Sequence, residues 1–396
     1  MVKSIVFSAV LLVVSFILYF KYFDMEADYY SPPILATHYN GAQFVGSNTC
    51  IECHADIYKT HIETAHYNTS ALADSATVKG SFEKGLNTLD LNDVIFEMVQ
   101  ESGALYQHTT IKNRNVQIPP AKFDIVIGSG VRGQTYLTWK DDKLFQLQPS
   151  YHTPSDNWIN SPGYPSYYLE RPIRDACLKC HVTFAENKDF SGQGNEYSKE
   201  QIVYGVDCEK CHGPLEKHVS YHKNNKVETP KFVMQFDTLS RLQRLDVCAQ
   251  CHSGLRSELI KGKSFSFLPG ENLNEYSRNV NEETNATLDV HGNQYGLLTQ
   301  SECFKQSANM DCMTCHDPHK NQRDNASYFN KKCIGCHSLN TVVCTEDNSK
   351  VQAMGNNCIA CHMPITPSKT MMAQLKKDSL ETSFYIRTHL IGVYPE

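Results

Sequence analysis

Several features are missing from this 396-residue chain, and each absence excludes something. There is no basic bias: 37 Lys and Arg face 43 Asp and Glu, for a formal net charge of −6. That balance argues against a nucleic-acid binder, and the lack of a long acidic run argues against an acidic tail. After residue 20 there is no apolar run long enough to span a bilayer, which excludes a multi-span membrane protein. Gly128, Gly130 and Gly133 are not followed by a Walker Lys-Ser/Thr, so they read as turns between strands rather than as a phosphate loop. Mean hydropathy is only −0.42, low for a chain that must still be compact.

Cysteine and histidine are what the chain has in excess: 16 Cys and 17 His. Fourteen of the Cys fall in seven CxxCH pentapeptides, and every CxxC is followed by His. Numbered in chain order, the motifs are Cys50/Cys53/His54, Cys177/Cys180/His181, Cys208/Cys211/His212 and Cys248/Cys251/His252. They continue with Cys312/Cys315/His316, Cys333/Cys336/His337 and Cys358/Cys361/His362. CxxCH is the attachment signature of c-type haem. Each thiol adds to one vinyl group of the porphyrin, and the adjacent imidazole binds the iron. A zinc knuckle or a redox dithiol needs neither the invariant His nor seven copies. The composition therefore points to seven covalently attached haems c, with His54, His181, His212, His252, His316, His337 and His362 as proximal iron ligands.

Covalent haem attachment takes place outside the cytoplasm, which sets the compartment. Lys3 precedes the uncharged run Ser4–Phe20, followed by Lys21 and Asp24. Its length lies between a secretory core and a membrane span. With no small-x-small site directly behind it and no lipobox Cys, the run reads as an uncleaved signal anchor. This places the protein on the periplasmic side of the bacterial cytoplasmic membrane. A cleaved signal and a soluble periplasmic protein form the alternative.

The expected organisation is an anchor over 1–23, a tether over 24–45 and a first haem region over 46–92. A β-rich insertion follows over 93–150, then a six-haem cytochrome domain over 151–396. Within the insertion, Val94–Val99, Ala104–Lys112, Phe123–Ile127, Thr135–Trp139 and Leu144–Leu147 are short β-type runs. From motif 2 to motif 7, starts are spaced 31, 40, 64, 21 and 25 residues apart. So dense a set leaves little room for a protein-only core, and the haems themselves are expected to be the core. The expected fold class is mainly α with sparse secondary structure, packed around haems, with a small β-rich insertion and an N-terminal transmembrane helix.

Ten His remain as sixth ligands, enough to make every haem bis-His and low-spin. His66, His218, His291, His319 and His389 rank first, then His38 and His222, with His61, His108 and His152 last. A His close behind its own CxxCH is badly placed for the far face of that haem and is expected to ligate a neighbour. Five to seven of the ten are expected to be ligands. Cys303 and Cys344 lie outside the motifs and flank motifs 5 and 6, and a left-over pair in an oxidising compartment is a disulfide candidate.

Words flanking the motifs carry a resemblance. These are Gly46-Ser47 with Thr64-Ala65-His66-Tyr67, Ile127-Gly128-Ser129-Gly130 with Arg132-Gly133-Gln134, and Ser161-Pro162-Gly163-Tyr164. Others are Cys208 to Pro214 with His218-Val219, His291-Gly292-Asn293-Gln294 ahead of Cys303-Phe304, Cys312 to His319, and Cys358 to Pro364. In these the chain resembles the multihaem cytochromes related to cytochrome c554. The resemblance implies a largely helical, haem-packed periplasmic electron carrier, with distal ligands at His66, His218, His291, His319 and His389. It departs in having seven motifs where cytochrome c554 has four, so partner and reaction do not transfer.

The resulting expectation is electron transfer along closely spaced haems in a respiratory pathway, without bond chemistry and with no catalytic residues. Partners would be redox proteins or a quinone-linked membrane complex. The alternative is a multihaem oxidoreductase with one open haem acting on nitrite, hydroxylamine or a sulfur oxyanion. No CxxCK motif, with Lys in place of the proximal His, is present. A third reading is a structural subunit of a membrane redox complex.

Overall fold

The computed structural model describes residues 12–16, 30–256, 258–279, 288–337, 357–375 and 380–394. The chain is not mainly α: helix and strand each take 28%. The physical reason lies in the motifs themselves. A CxxCH needs only one helical turn, which brings Cys at i and i+3 onto one face. Seven motifs therefore require only seven short turns.

Strand structure extends well beyond 93–150. One antiparallel sheet runs in the order Asn157–Asn160, Lys143–His152, Gly133–Lys140, Ile125–Ile127, Ser70–Leu72, with Arg171–Pro172 also paired to Lys143–His152. A second sheet orders Thr88–Asp90, Val94–Glu101, Ala104–Ile111 and Val116–Lys122. The strands Val94–Glu101 and Ala104–Ile111 meet at Glu101↔Ala104. Both residues of the two-residue loop, Ser102 and Gly103, have positive φ, the backbone such a tight hairpin demands. Two further hairpins sit among the haem motifs: Val182–Asn187 with Tyr197–Tyr204, and Ile365–Ala373 with Thr382–Arg387.

The apolar core lies in this β body. Successive side chains of a strand point to opposite faces, and the first sheet is buried on both. Val126, Tyr136, Leu147, Tyr151 and Trp158 pack with Phe96, Met98 and Phe123 on one face. Ile125, Leu137 and Leu144 pack with Phe44, Phe184, Tyr197 and Phe265 on the other. Among the described residues after 204, only Phe265, Leu215, Val219 and Val233 belong to such a cluster. In that part of the chain a cavity takes the place of a core.

Among the described residues no helix is long and apolar enough to cross a membrane. The expected span over 4–20 falls largely outside them, with only 12–16 described, as helix.

The β body is tied to the motifs by specific bonds. Thr69 Oγ1 and Ser70 Oγ donate to the His181 carbonyl, and Gly205 N–H donates to Ser70 Oγ. Gly205 has φ +70°, and a Cβ there would lie 2.3 Å from the Tyr67 carbonyl oxygen, so only glycine lets the segments of motifs 1 and 3 approach. Glu209, at a variable position of motif 3, accepts N–H bonds from Val45, Gly46 and Leu215 at 2.8–3.1 Å. Burial pushes its carboxyl up to about 7 despite those bonds. Its stabilising share is present below the unfolded value near 4.3 and is lost as pH rises through about 7. Stability is expected to fall by about 3 kcal/mol across that window. A Glu209→Gln protein should show a flatter profile in urea unfolding at a series of pH values.

Candidate haem-binding site

All seven motifs lie on helical turns. Motif 1 follows the turn Ser47–Cys50 into Ile51–His61, where His54 (φ −124°, ψ 36°) breaks the helix and swings its ring out. Motif 3 is the helix Cys208–His212, capped by Asp207, whose side chain accepts from Cys208 N–H. Motif 4 ends the helix Arg241–His252. Motif 5 forms the turn Cys312–Thr314 under an Asp311–Thr314 capping box. Motif 6 closes Ala326–Cys336, and motif 7 is Cys358–His362. Motif 2 begins on the short helix Asp175–Leu178.

These turns surround one connected cavity of about 4100 Å³, lined by both Cys and the His of every motif. Pockets for single small molecules and cofactors measure about 300–1,000 Å³, so this one has room for several. Shared among the motifs it offers about 590 Å³ each, inside that range.

Facing imidazoles cross this space. An imidazole nitrogen sits about 2.0–2.1 Å from a bound first-row metal, so two trans imidazoles have ring centres roughly 6.3 Å apart. Ring centres of His54 and His218 are 6.5 Å apart, His66 and His252 6.1 Å, His212 and His319 6.1 Å, and His316 and His389 6.2 Å. His291 is a charge neighbour of the half-buried His181. In each pair the two residues come from different motif neighbourhoods, so each pair links distant parts of the chain.

The ring chemistry fits the group. Nδ1 of His362 donates to the Gly392 carbonyl at 2.8 Å and Nδ1 of His218 to the Lys231 carbonyl at 2.7 Å. A carbonyl only accepts, so in both rings Nε2 keeps the lone pair that iron needs. Burial, reinforced by neighbouring imidazoles, pushes His66, His181 and His389 down to about 4. They are neutral, the form that ligates.

The remaining His lie elsewhere. His38 is buried in the β body, with Nε2 3.0 Å from the Phe265 carbonyl and Nδ1 2.8 Å from Asn40 Oδ1, outside the cavity. His222 lines the cavity, but its ring is 4.7 Å from that of His218 and its Nε2 accepts from Lys231 N–H. His61 is buried with neither ring nitrogen hydrogen-bonded, 3.6 Å from Asp207 and edge-on to His319. His108 faces Glu101 at 3.2 Å, and His152 bonds Ser155 at 2.8 Å against Phe384. Cys303 lines the cavity, and Cys344 lies outside the described residues.

The thiols bring the motifs edge to edge. Cys50 and Cys208 are within hydrogen-bonding reach, as are Cys180 and Cys251, and Cys248 and Cys312. Cys211 is a charge neighbour of Cys248 and Cys251, and Cys333 of Cys315 and Cys358. No spacing in the sequence revealed this order. Nor did any mark Glu209, Thr69 or Ser70, which act through the backbone of other segments.

Comparison with known proteins agrees with this chemistry. Residues 137–213 match the family described as cytochrome c554 and c-prime. Over 178 residues, 41% of the chain, it is 27% identical to the multihaem cytochrome MtrA of Shewanella baltica (strain OS185), and it spans about half (52%) of that relative's length. Its fold is similar to that of the outer cell wall cytochrome OcwA, with a TM-score of 0.56 and 17% identity over 88% of this chain and 79% of that one. An undecahaem cytochrome from the S-layer of Carboxydothermus ferrireducens matches with a TM-score of 0.42 at 18% identity, over 84% and 52% of the two chains. With haem-attachment motifs lining one cavity and facing imidazoles at iron-bridging separation, the chain is a multihaem c-type cytochrome that resembles the cytochrome c554 and c-prime family.

Proposed function

We propose that the chain holds seven haems c, one per motif, and carries electrons along them as an extracytoplasmic segment of a respiratory pathway. The observation that carries this reading is the single cavity bordered by the Cys and His of all seven motifs. Haem c, when bound, supplies a one-electron Fe(III)/Fe(II) couple. The residues do the rest. Each CxxCH would fix ring orientation through two thioethers, and the facing imidazoles would offer a second ligand at four sites, with His291 beside His181 at a fifth. Asp207, Asp311 and the backbone ties to Thr69 and Ser70 keep the turns in register.

Thiol contacts and charge neighbours order the sites. Motif 1 adjoins 3, and 3 adjoins 4. Motif 4 also adjoins 2 and 5, then 5 adjoins 6 and 6 adjoins 7. The path is thus a chain from motif 1 to motif 7 with motif 2 branching at motif 4. Its donors and acceptors are proposed to be redox proteins or a quinone-linked complex that dock at the ends. Propionates make the loaded protein more acidic than its sequence, so a partner with a basic face should bind it less tightly as salt rises.

Intact mass under denaturing conditions, which keeps thioether-bound haem, tests the count. The expected mass is that of the chain plus seven haems. A lower number, with the bare motif located by peptide mapping, would remove that site from the path.

A further inference from the structure

The histidines run out before the irons do. Every one of the 17 His lies among the described residues. Seven are proximal, four face a proximal ring across the cavity, and His291 is a charge neighbour of the proximal His181. The other five are engaged elsewhere: His38, His108 and His152 lie outside the cavity, His61 sits at the His319 corner of motif 3, and His222 lies beside His218 at motif 1. Among the described residues no second imidazole faces His337 or His362, the proximal residues of motifs 6 and 7.

The charge at this end is also distinctive. Lys332 precedes Cys333, while Lys369 and Arg387 lie on the hairpin Ile365–Ala373 with Thr382–Arg387, directly after motif 7. All three line the cavity. Arg387 donates to the carbonyls of Ile359 and Met363. Among the described residues none of the three forms an ion pair with a carboxylate. Asp289, the acid beside the hairpin, is already held by Ser368 Oγ and the N–H groups of Lys369 and Thr370.

Resting on the seven-haem reading above, we infer that the irons at His337 and His362 keep a sixth position that no imidazole of this protein fills. We infer further that this end of the path binds a small anionic nitrogen- or oxygen-donor ligand at iron. Two features meet there: an open coordination position, and three cations without carboxylate partners that favour an anion. The five paired sites conduct, whereas the two unpaired ones are where an exogenous molecule reaches iron. The branch at motif 4 and the motif 1 end stay closed to it.

The test uses oxidised holoprotein, with azide as the anionic probe and imidazole as the neutral one. Haem count by intact mass and EPR are recorded on the same sample. The expected result is seven haems, two of them high-spin, with azide converting the high-spin signal to low-spin. Lys332→Gln with Lys369→Gln should weaken azide binding several-fold and leave imidazole binding unchanged. Seven haems that are all low-spin and indifferent to azide would overturn the inference and leave the conduit standing. The same holds for a thioether-to-iron charge-transfer band, which would show methionine in the sixth position. Equal loss of azide and imidazole binding in the double variant would overturn the anionic class. A haem count below seven with motif 6 or 7 bare would overturn both readings.

Discussion

Replacing Cys248 and Cys251 with alanine is expected to leave six haems and split the electron path into separated groups. The thiols of motif 4 neighbour those of three other motifs: Cys251 reaches Cys180, Cys248 reaches Cys312, and both are charge neighbours of Cys211. Without it, motifs 1 and 3 form one group, motif 2 stands alone, and motifs 5 to 7 form another. In stopped-flow reduction by a partner that docks at one end, the wild type should fill its haems as one connected set. The variant should fill in separated phases, with passage across the gap slowed at least about tenfold, which is about 1.4 kcal/mol of added barrier. The control is Cys50→Ala with Cys53→Ala, which also removes one haem but from the end of the path, and whose remaining six sites stay contiguous. If the two variants reduce with the same phases, motif 4 is not the junction. A folding defect is separable. The control also loses one haem, so a slowing that came from lost stability would appear in both double variants and follow their urea-unfolding midpoints.

Covalent attachment explains how much of this could be read from sequence. A thioether pair and its imidazole must come from five consecutive residues, so all seven motifs stand in the sequence as whole words. The sixth ligand carries no such constraint. His66 meets His252 and His389 meets His316 across long stretches of chain, and only the fold brings them together. His38 illustrates the failure. It stands ahead of motif 1 as His66 stands behind it, yet the core around Phe44 and Phe184 takes it away from the cavity. The share of strand is hidden in the sequence for a related reason. Val182–Asn187 follows motif 2 by no residues at all, and Ile365–Ala373 follows motif 7 by two. Runs so short and so close to haem motifs look like connectors until their hairpin partners are known. The β body also supplies what the haem-lined part of the chain lacks, an ordinary apolar core, and this is why the whole chain can stay polar on average.

His389→Met should raise the potential of the motif 5 haem on the order of 0.1 V, a modest part of the roughly 0.8 V range that axial ligation spans. His389 comes from the last residues of the chain and its ring centre lies 6.2 Å from that of His316. Its backbone is anchored independently of any iron, since Ser301 Oγ donates to the His389 carbonyl and accepts from Ile391 N–H. The substitution should therefore change ligation without releasing the C-terminal segment. Potentiometric titration would show one haem of the set displaced upward, and EPR would keep that iron low-spin. His389→Ala should differ in kind, turning one iron high-spin and adding one azide-binding site beyond those of the wild type. The comparison separates two roles for the residue. If it serves only to pack the C-terminus, Ala and Met would lower the unfolding midpoint alike and leave every potential in place. If it ligates iron, the Met and Ala proteins must part company in spin state and in potential. Because motif 5 lies between motif 4 and motifs 6 and 7, an upward shift there places an electron trap in mid-path. Transfer onward to motif 6 should then slow in proportion to that shift, while reduction of motifs 1 to 4 keeps its rate.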